Sequence, residues 1–557
     1  MPRRHPRPTA ARRIARARTT RRARAAVGAA IAIAALLALP GSGGAAPSAP
    51  GRSASRQGGF PTTGPGLIGH DGRWLTDADG RVVLLHGVNL VAKGQETPAE
   101  RGFDDDDAQW LVDHGFDAVR LGLSPDAFMP TPGVVDQTYL TSFAATAQML
   151  TDHGLLVLID LHQDGWGPVT SGNGFPEWAT FTHGAENTHT GFPLYYVTNP
   201  AIQAAFDSFW ANEKAAGVGL QDHVATMFEA LAGALGSNPN VLGYDILNEP
   251  WPGSDWNPCY QGNGCPDQDA SGLDQLHAKV TAAIRSKDAD HLVFGEPYVL
   301  FNFGTAPTHI SLPGDDPRSG MSWHMYTTDP SFEPKVIANA IDWSEQTGGA
   351  LLNTEFDEAK TIGDINRMVG ELDNALLPWM WWSYDGFVHD MTSPLTDANI
   401  DLDERDALVR PHPVQVAGTP EALDYDEVAR VLRFRYGTEG PSGAPLPPGT
   451  ETVIKVPDLA LPDGYDLKVT GGTVTSAEGA SVLTIVADGS AGSVFVKLWP
   501  KGAPEPSDDF PPSPLDPAGP TTPTTAPPTT PTDPTTTVPG SAATGATPIP
   551  GTSSYTG

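Results

Sequence analysis

The chain is 557 residues long and carries 34 lysines and arginines against 66 aspartates and glutamates, a formal net charge of −32. That length exceeds one ordinary domain and leaves room for an α/β barrel of about 250 residues with appendages. The charge excludes nucleic acid and anionic bilayers as electrostatic partners, so any contact with a lipid surface has to be apolar.

Residues 1–46 read as an export signal, with ten arginines and no acid in the first 24 residues, then an apolar stretch from Ala25 to Leu39. The stretch is shorter than the roughly 20 residues that span a bilayer, so secretion is the expectation. Residues 47–66 read as a flexible linker. Between 67 and 420, strand-like apolar runs alternate with helical patterns: Val82 to Leu90, Ala118 to Leu123, Leu155 to Leu161, Val241 to Leu247, His291 to Phe294, Met321 to Tyr326, Ala350 to Thr354 and Pro378 to Tyr384. Eight such runs predict an α/β fold, a (β/α)8 TIM barrel. Leu140, Phe143, Ala147 and Leu150 recur at helical spacing and predict one of its helices. The acidic run Asp104 to Asp107 reads as a helix start, since consecutive aspartates on a helix diverge too far to share a cation. The long segment Gln163 to Pro200, rich in Gly, Trp, Phe and His, reads as a functional loop.

Alternating runs such as Val431 to Tyr436 and Ser493 to Leu498 predict a C-terminal β-sandwich over 421–500, packed against the barrel. From 501 to 557 the Pro/Thr-rich composition predicts a disordered tail. The only two cysteines, Cys259 and Cys265, are close enough in an exported chain to predict a local disulfide.

The runs also locate the chemistry. The fourth ends in Asn248-Glu249-Pro250 and the seventh in Glu355, so two carboxylates stand at the strand ends where such barrels build active sites. Glycosidic cleavage needs such a pair, one to protonate the leaving oxygen and one to attack or to activate water. Glu249 is read as acid/base and Glu355 as nucleophile, ahead of Asp357 and Glu358, which lie past the strand end. Arg120, His324 and Tyr326 are placed to hydrogen-bond Glu355 or its surroundings. Asn248 is placed to bind a sugar hydroxyl, as are His162 and Asp164, while Trp178 and Trp382 offer flat faces to sugar rings. Alternation through Trp379-Met380-Trp381-Trp382 puts Met380 and Trp382 on one face. Glu296 is a rival carboxylate, ranked as a structural or subsite residue, and Lys93 reads as a solvated lysine.

The strand-end set, with Leu161-His162-Gln163-Asp164, Gly174-Phe175-Pro176-Glu177-Trp178-Ala179, Asn248-Glu249-Pro250-Trp251-Pro252-Gly253 and Arg410-Pro411-His412-Pro413, resembles the endoglycoceramidases of glycoside hydrolase family 5. The resemblance implies a retaining enzyme without metal or cofactor that cleaves glycan from ceramide in glycosphingolipids. It implies a lipid-binding groove, for which Phe175, Trp178, Phe181 and Phe192 are the candidate lining, and nothing in it demands more than a monomer. The alternative is a related enzyme acting on glucosylceramide, a steryl glucoside or a soluble β-glucan. A non-catalytic adhesive protein is the rival from another class.

Overall fold

Parallel pairing closes the eight runs into a barrel in the computed structural model, which describes residues 64–326, 329–356 and 361–511. The expected export signal, most of the linker, the tail from residue 512, and Asp357 and Glu358 lie outside the described residues. The staves are β1 His86–Ala92, β2 Ala118–Leu123, β3 Leu156–Leu161, β4 Val241–Asp245, β5 Leu292–Gly295, β6 Ser319–Met325, β7 Ala350–Phe356 and β8 Trp379–Trp381. β8 pairs with β1 to complete the circle.

Strand alternation sorts the side chains into two cores. Leu156, Leu158, Leu292, Phe294, Ala350, Leu352 and Met380 pack inside the barrel, joined by Ile68 and Leu75 from the segment before β1. Val119, Leu121, Leu351, Phe356, Trp379 and Trp381 face outward into the helix layer. Met380 and Trp379 thus part as the alternation predicts. The helix Gln137–Asp152 starts at Asp136, whose side chain accepts from the Thr138 and Tyr139 amides, and buries Leu140, Phe143, Ala147 and Leu150. Asp104 likewise caps the helix Asp105–Asp113.

Two antiparallel sheets form the C-terminal sandwich, four-stranded and seven-stranded. Leu432, Phe434, Val494 and Val496 of one meet Ile454, Leu483 and Ile485 of the other in a common core. The seven-stranded sheet draws strands from both sides of residue 420. His412–Val416 pairs with Glu451–Lys455 on one edge and with Val82–Val83 on the other. The run Val82 to Leu90, expected as one strand, is therefore two: its first residues belong to the sandwich and only the rest to the barrel. Residues 501–511, expected as the first part of the tail, are among the described residues. Lys497, fully buried, holds Glu505 at 3.0 Å, the Pro506 carbonyl at 2.6 Å and Asp508, which lays residues 505–508 along the four-stranded sheet. Among the described residues no helix is long and apolar enough to cross a membrane.

Candidate active site

At the C-terminal mouth of the barrel, inward positions that would otherwise carry apolar side chains carry charge. Arg120 on β2 is completely buried and spends its guanidinium on six partners. Nε donates to Asp245 at 2.9 Å, Nη1 to Asn89 at 3.2 Å and to Glu355, and Nη2 to Asn248 at 3.0 Å and Glu296 at 2.9 Å, while Asp160 stands 3.0 Å from Nη2 as an ion-pair partner.

Glu355 also accepts from the Tyr326 hydroxyl at 2.9 Å. Its direction depends on an irregularity of β7. Trp323 of β6 pairs with Asn353 and His324 with Glu355, so Thr354 is an extra residue. Strict alternation from Ala350 and Leu352 would send Glu355 outward with Leu351, and the bulge turns it into the barrel. The Thr354 carbonyl is taken up by the Asn89 amide at 2.8 Å.

Glu249 faces Glu355 from the loop after β4. Its Oε1 accepts from His324 Nδ1 at 2.9 Å and Asn302 at 3.1 Å. Ligand atoms of Glu249, His324 and Glu355 all lie within 4.8 Å of one another. That is the spacing of about 5 Å at which one carboxylate attacks and the other serves as acid and base, and it is shorter than the 6.5–9.5 Å that admits a water between them. Among the described residues these three are the set that a metal ion could share. The three are already engaged with one another and their neighbours: His324 Nδ1 with Glu249, and Glu355 with Arg120 and Tyr326.

Burial pushes the Glu249 carboxyl above its ordinary value, against the hydrogen bond and charge of His324, and the charge of Glu355 adds to the rise. Burial alone would strip the proton from His324, but the carboxylates of Glu296 and Glu355 hold its pKa well above the usual range. Burial and then Asp245 raise Glu296, at the end of β5, above the ordinary carboxylate value, against the charges of His324 and Arg120. A proton donor, an ionisable partner and a fixed cation thus stand around one cleft, the apparatus of general acid catalysis with a nucleophile beside it.

A second cluster borders the first. His162 Nδ1 bonds Asp160 at 2.9 Å, and its ring stacks on Trp382 with centroids 5.3 Å apart. Burial opposes a charge on His162, yet Asp160 and Asp164 raise its pKa to about 9. Asp164 accepts from Lys93 Nζ at 2.8 Å, and that ammonium lies 4.4 Å from the centre of the Trp382 ring. Lys93, expected in solvent, is thus part of the site. Burial would raise Asp164, but Lys93 and His162 hold it well below the carboxylate range.

Trp178 does not join these groups. Its indole nitrogen donates to the Met129 carbonyl at 3.0 Å and its ring meets His223 edge-on. Phe175, expected to line a lipid groove, is buried in a stack with Trp166 because the glycine-rich loop folds back on itself. Phe192 and Leu194 of the same loop are 52% and 60% exposed. Cys259 and Cys265 form a disulfide in the loop that follows Glu249. Asn302 is the site residue that sequence reading missed. It lies in the irregular turn Val299–Phe303, bonds Glu249, and takes the His324 amide at 3.3 Å. No periodicity or motif marks it. Asp160 and Asp245 were findable, as carboxylates inside apolar strands.

Comparison with known proteins agrees with this fold. The model of cellulase (glycosyl hydrolase family 5) matches residues 76–387, and that of the glycoside hydrolase family 5 C-terminal domain matches 410–498. Endoglycoceramidase I of Rhodococcus hoagii (strain 103S) is 36% identical over 459 residues, 77% of this chain and 87% of the relative. An endoglycoceramidase of Cyanea nozakii is 27% identical over 71% of this chain and 85% of its own. Among solved structures, endo-glycoceramidase II from Rhodococcus sp. is similar both in its ganglioside GM3 complex (TM-score 0.65, 25% identity) and as a lactosyl-enzyme intermediate (TM-score 0.64, 26%). Each alignment covers 77% of this chain and 99% of the other.

Proposed function

The chain belongs to glycoside hydrolase family 5, among its endoglycoceramidases, and on that premise we propose that it is a secreted, retaining endo-β-glycosidase that cleaves the bond between oligosaccharide and ceramide in glycosphingolipids. The observation that carries this reading is the approach of Glu249 to Glu355 within 4.8 Å, with Arg120 and Tyr326 on one carboxylate and His324 and Asn302 on the other. Glu355, hydrogen-bonded by Arg120 and Tyr326, attacks the anomeric carbon of the sugar attached to ceramide. Glu249, whose burial keeps a proton on it to higher pH than an ordinary glutamate, protonates the ceramide oxygen as the bond breaks. Glu249, now ionised, takes a proton from water, which attacks the anomeric carbon and frees the glycan from Glu355. No cofactor is consumed.

His162, Asp164, Lys93 and Trp382 suit the glycan, with paired polar groups for hydroxyls and an aromatic face for a ring. Phe192 and Leu194 suit apolar contact with the lipid aggregate, a contact that the acidic chain cannot make by charge. A monomer suffices for this chemistry. The arginine-rich, then apolar, start of the chain supports export.

The test is mass spectrometry of products from ganglioside, lactosylceramide, glucosylceramide and a soluble β-glucan, with Glu355→Gln and Glu249→Gln beside the wild type. Intact oligosaccharide plus ceramide, lost in either variant, is the expected result. Ceramide released from glucosylceramide alone, or only shortened glucan, overturns the substrate assignment. An inverted first-formed anomer by NMR overturns retention.

A further inference from the structure

Glu296 is a buried carboxylate that the reaction above does not use. It stands at the end of β5, and its two oxygens meet two hydrogen-bond donors and one ion-pair partner. Oε2 accepts from the backbone N–H of Glu249 at 2.8 Å, while Oε1 accepts from Arg120 Nη2 at 2.9 Å and faces His324 Nε2 at 3.2 Å. Glu249 itself has φ +43°, in the left-handed region that residues other than glycine rarely adopt. Glu249 presents its N–H to Glu296 in that conformation. His324 carries the second connection, since its Nδ1 lies 2.9 Å from Glu249 Oε1 while its Nε2 faces Glu296.

We propose that Glu296 is a positioning residue for Glu249, pinning its left-handed backbone directly and orienting its carboxyl through His324. The proposal rests on the assignment of Glu249 as acid/base. Geometry gives it a distinctive signature. Glutamine has the same shape as glutamate but presents an NH2 group where one oxygen stood. The Arg120 guanidinium, the stronger donor, keeps the amide oxygen, so the NH2 group is turned against the Glu249 N–H. Protonation of the leaving group should therefore suffer, while sugar binding and attack by Glu355 are spared.

The experiment compares kcat/KM for an alkyl β-lactoside, whose alkoxide needs a proton to leave, with that for 2,4-dinitrophenyl β-lactoside, whose phenolate does not. Glu249→Ala is expected to lose about 1000-fold on the alkyl substrate and less than about tenfold on the dinitrophenyl one. Glu296→Gln is expected to lose about 100-fold on the alkyl substrate and to stay near wild type on the other. Glu296→Asp, which keeps the charge but draws it back, is expected to show a smaller loss with the same selectivity, and it carries the test if the glutamine variant does not fold. Equal losses by the Glu296 variants on both substrates, beside a selective loss in Glu249→Ala, would make Glu296 a structural residue and overturn the proposal. Equal losses in Glu249→Ala as well would overturn the acid/base assignment on which it rests.

Discussion

Arg120 gathers charge from most of the barrel. Its partners come from β1, β3, β4 and β7 and from the ends of β4 and β5, and the whole set is buried. A guanidinium has five N–H donors in one plane, so it can serve carboxylates in several directions at once. A lysine keeps the charge but offers one point. Arg120→Lys is expected to lower kcat/KM about 1000-fold and to destabilise the fold by about 3 kcal/mol, because several carboxylates lose their partner in a dry interior. Steady-state kinetics with urea unfolding checks both, and a loss of rate without a loss of stability would mean the carboxylates find other cations. Arg120 and His324 were legible as polar residues inside apolar runs. Asn302 was not, because an asparagine in a loop has no local feature that distinguishes a ligand of Glu249 from a turn.

Among the elements, β7 decides whether the site works at all. Its bulge at Thr354 aims Glu355, and Asn89 of β1 satisfies the Thr354 carbonyl while also bonding the Trp381 carbonyl at 3.2 Å. Asn89→Ala removes both bonds, strands two buried carbonyls and takes one acceptor from Arg120. The expected cost is about 2 kcal/mol in stability and about 100-fold in kcat from loosened aim, measured by denaturant unfolding and single-turnover kinetics. An unchanged kcat would show that the bulge holds its shape without β1. The loop after β4 is braced differently. The Cys259–Cys265 disulfide sits beside Asp269, whose carboxylate takes the His309 amide at 2.7 Å and so joins this loop to the one after β5. Replacing both cysteines by serine is expected to cost about 2 kcal/mol, the loop being short, with catalysis largely kept; thermal unfolding of the oxidised protein against the variant measures it. The glycines, aromatics and motifs of these loops were legible, but their packing was not, which is why Phe175 faces the core although it was expected at a surface.

At the scale of the molecule, barrel and sandwich share a buried polar seam. The His86 ring of β1 lies between Trp379, at 4.1 Å, and His412 of the sandwich, at 3.7 Å. Asp373 receives His86 at 3.2 Å and Arg410 at 3.3 Å, while Asp117 receives His412 at 2.7 Å and Lys455 at 2.6 Å. The motif Arg410-Pro411-His412-Pro413 therefore serves the joint between domains and does not reach the active site. Burial, aided by the charge of His412 and opposed by Asp373, lowers the His86 pKa to about 4 from 6.5. Between those values the unfolded chain binds a proton at His86 that the folded one refuses, so this group's contribution is complete above pH 6.5 and is lost as pH falls towards 4. The loss amounts to about 3 kcal/mol. Other buried groups titrate too, so the measurement is a difference: the stability advantage of the wild type over His86→Phe should shrink by that amount from pH 7 to pH 4. An advantage that does not change with pH would remove His86 from the acid response.

Periodicity and strand-end chemistry were sufficient to derive a (β/α)8 barrel from the chain, to place Glu249 and Glu355 at its mouth, and to pair Met380 with Trp382 on one face, because these depend on neighbours in sequence. Tertiary structure alone decided the rest. Whether Glu355 points in or out depends on one extra residue in β7, and pairing with β6 sets its position. Whether Val82–Val83 belongs to the barrel depends on His412–Val416, more than 300 residues away. The network that joins Arg120, His324, Glu296 and Asn302 forms only when the barrel closes, since its members come from different staves and loops and none of them carries a local signal of the others.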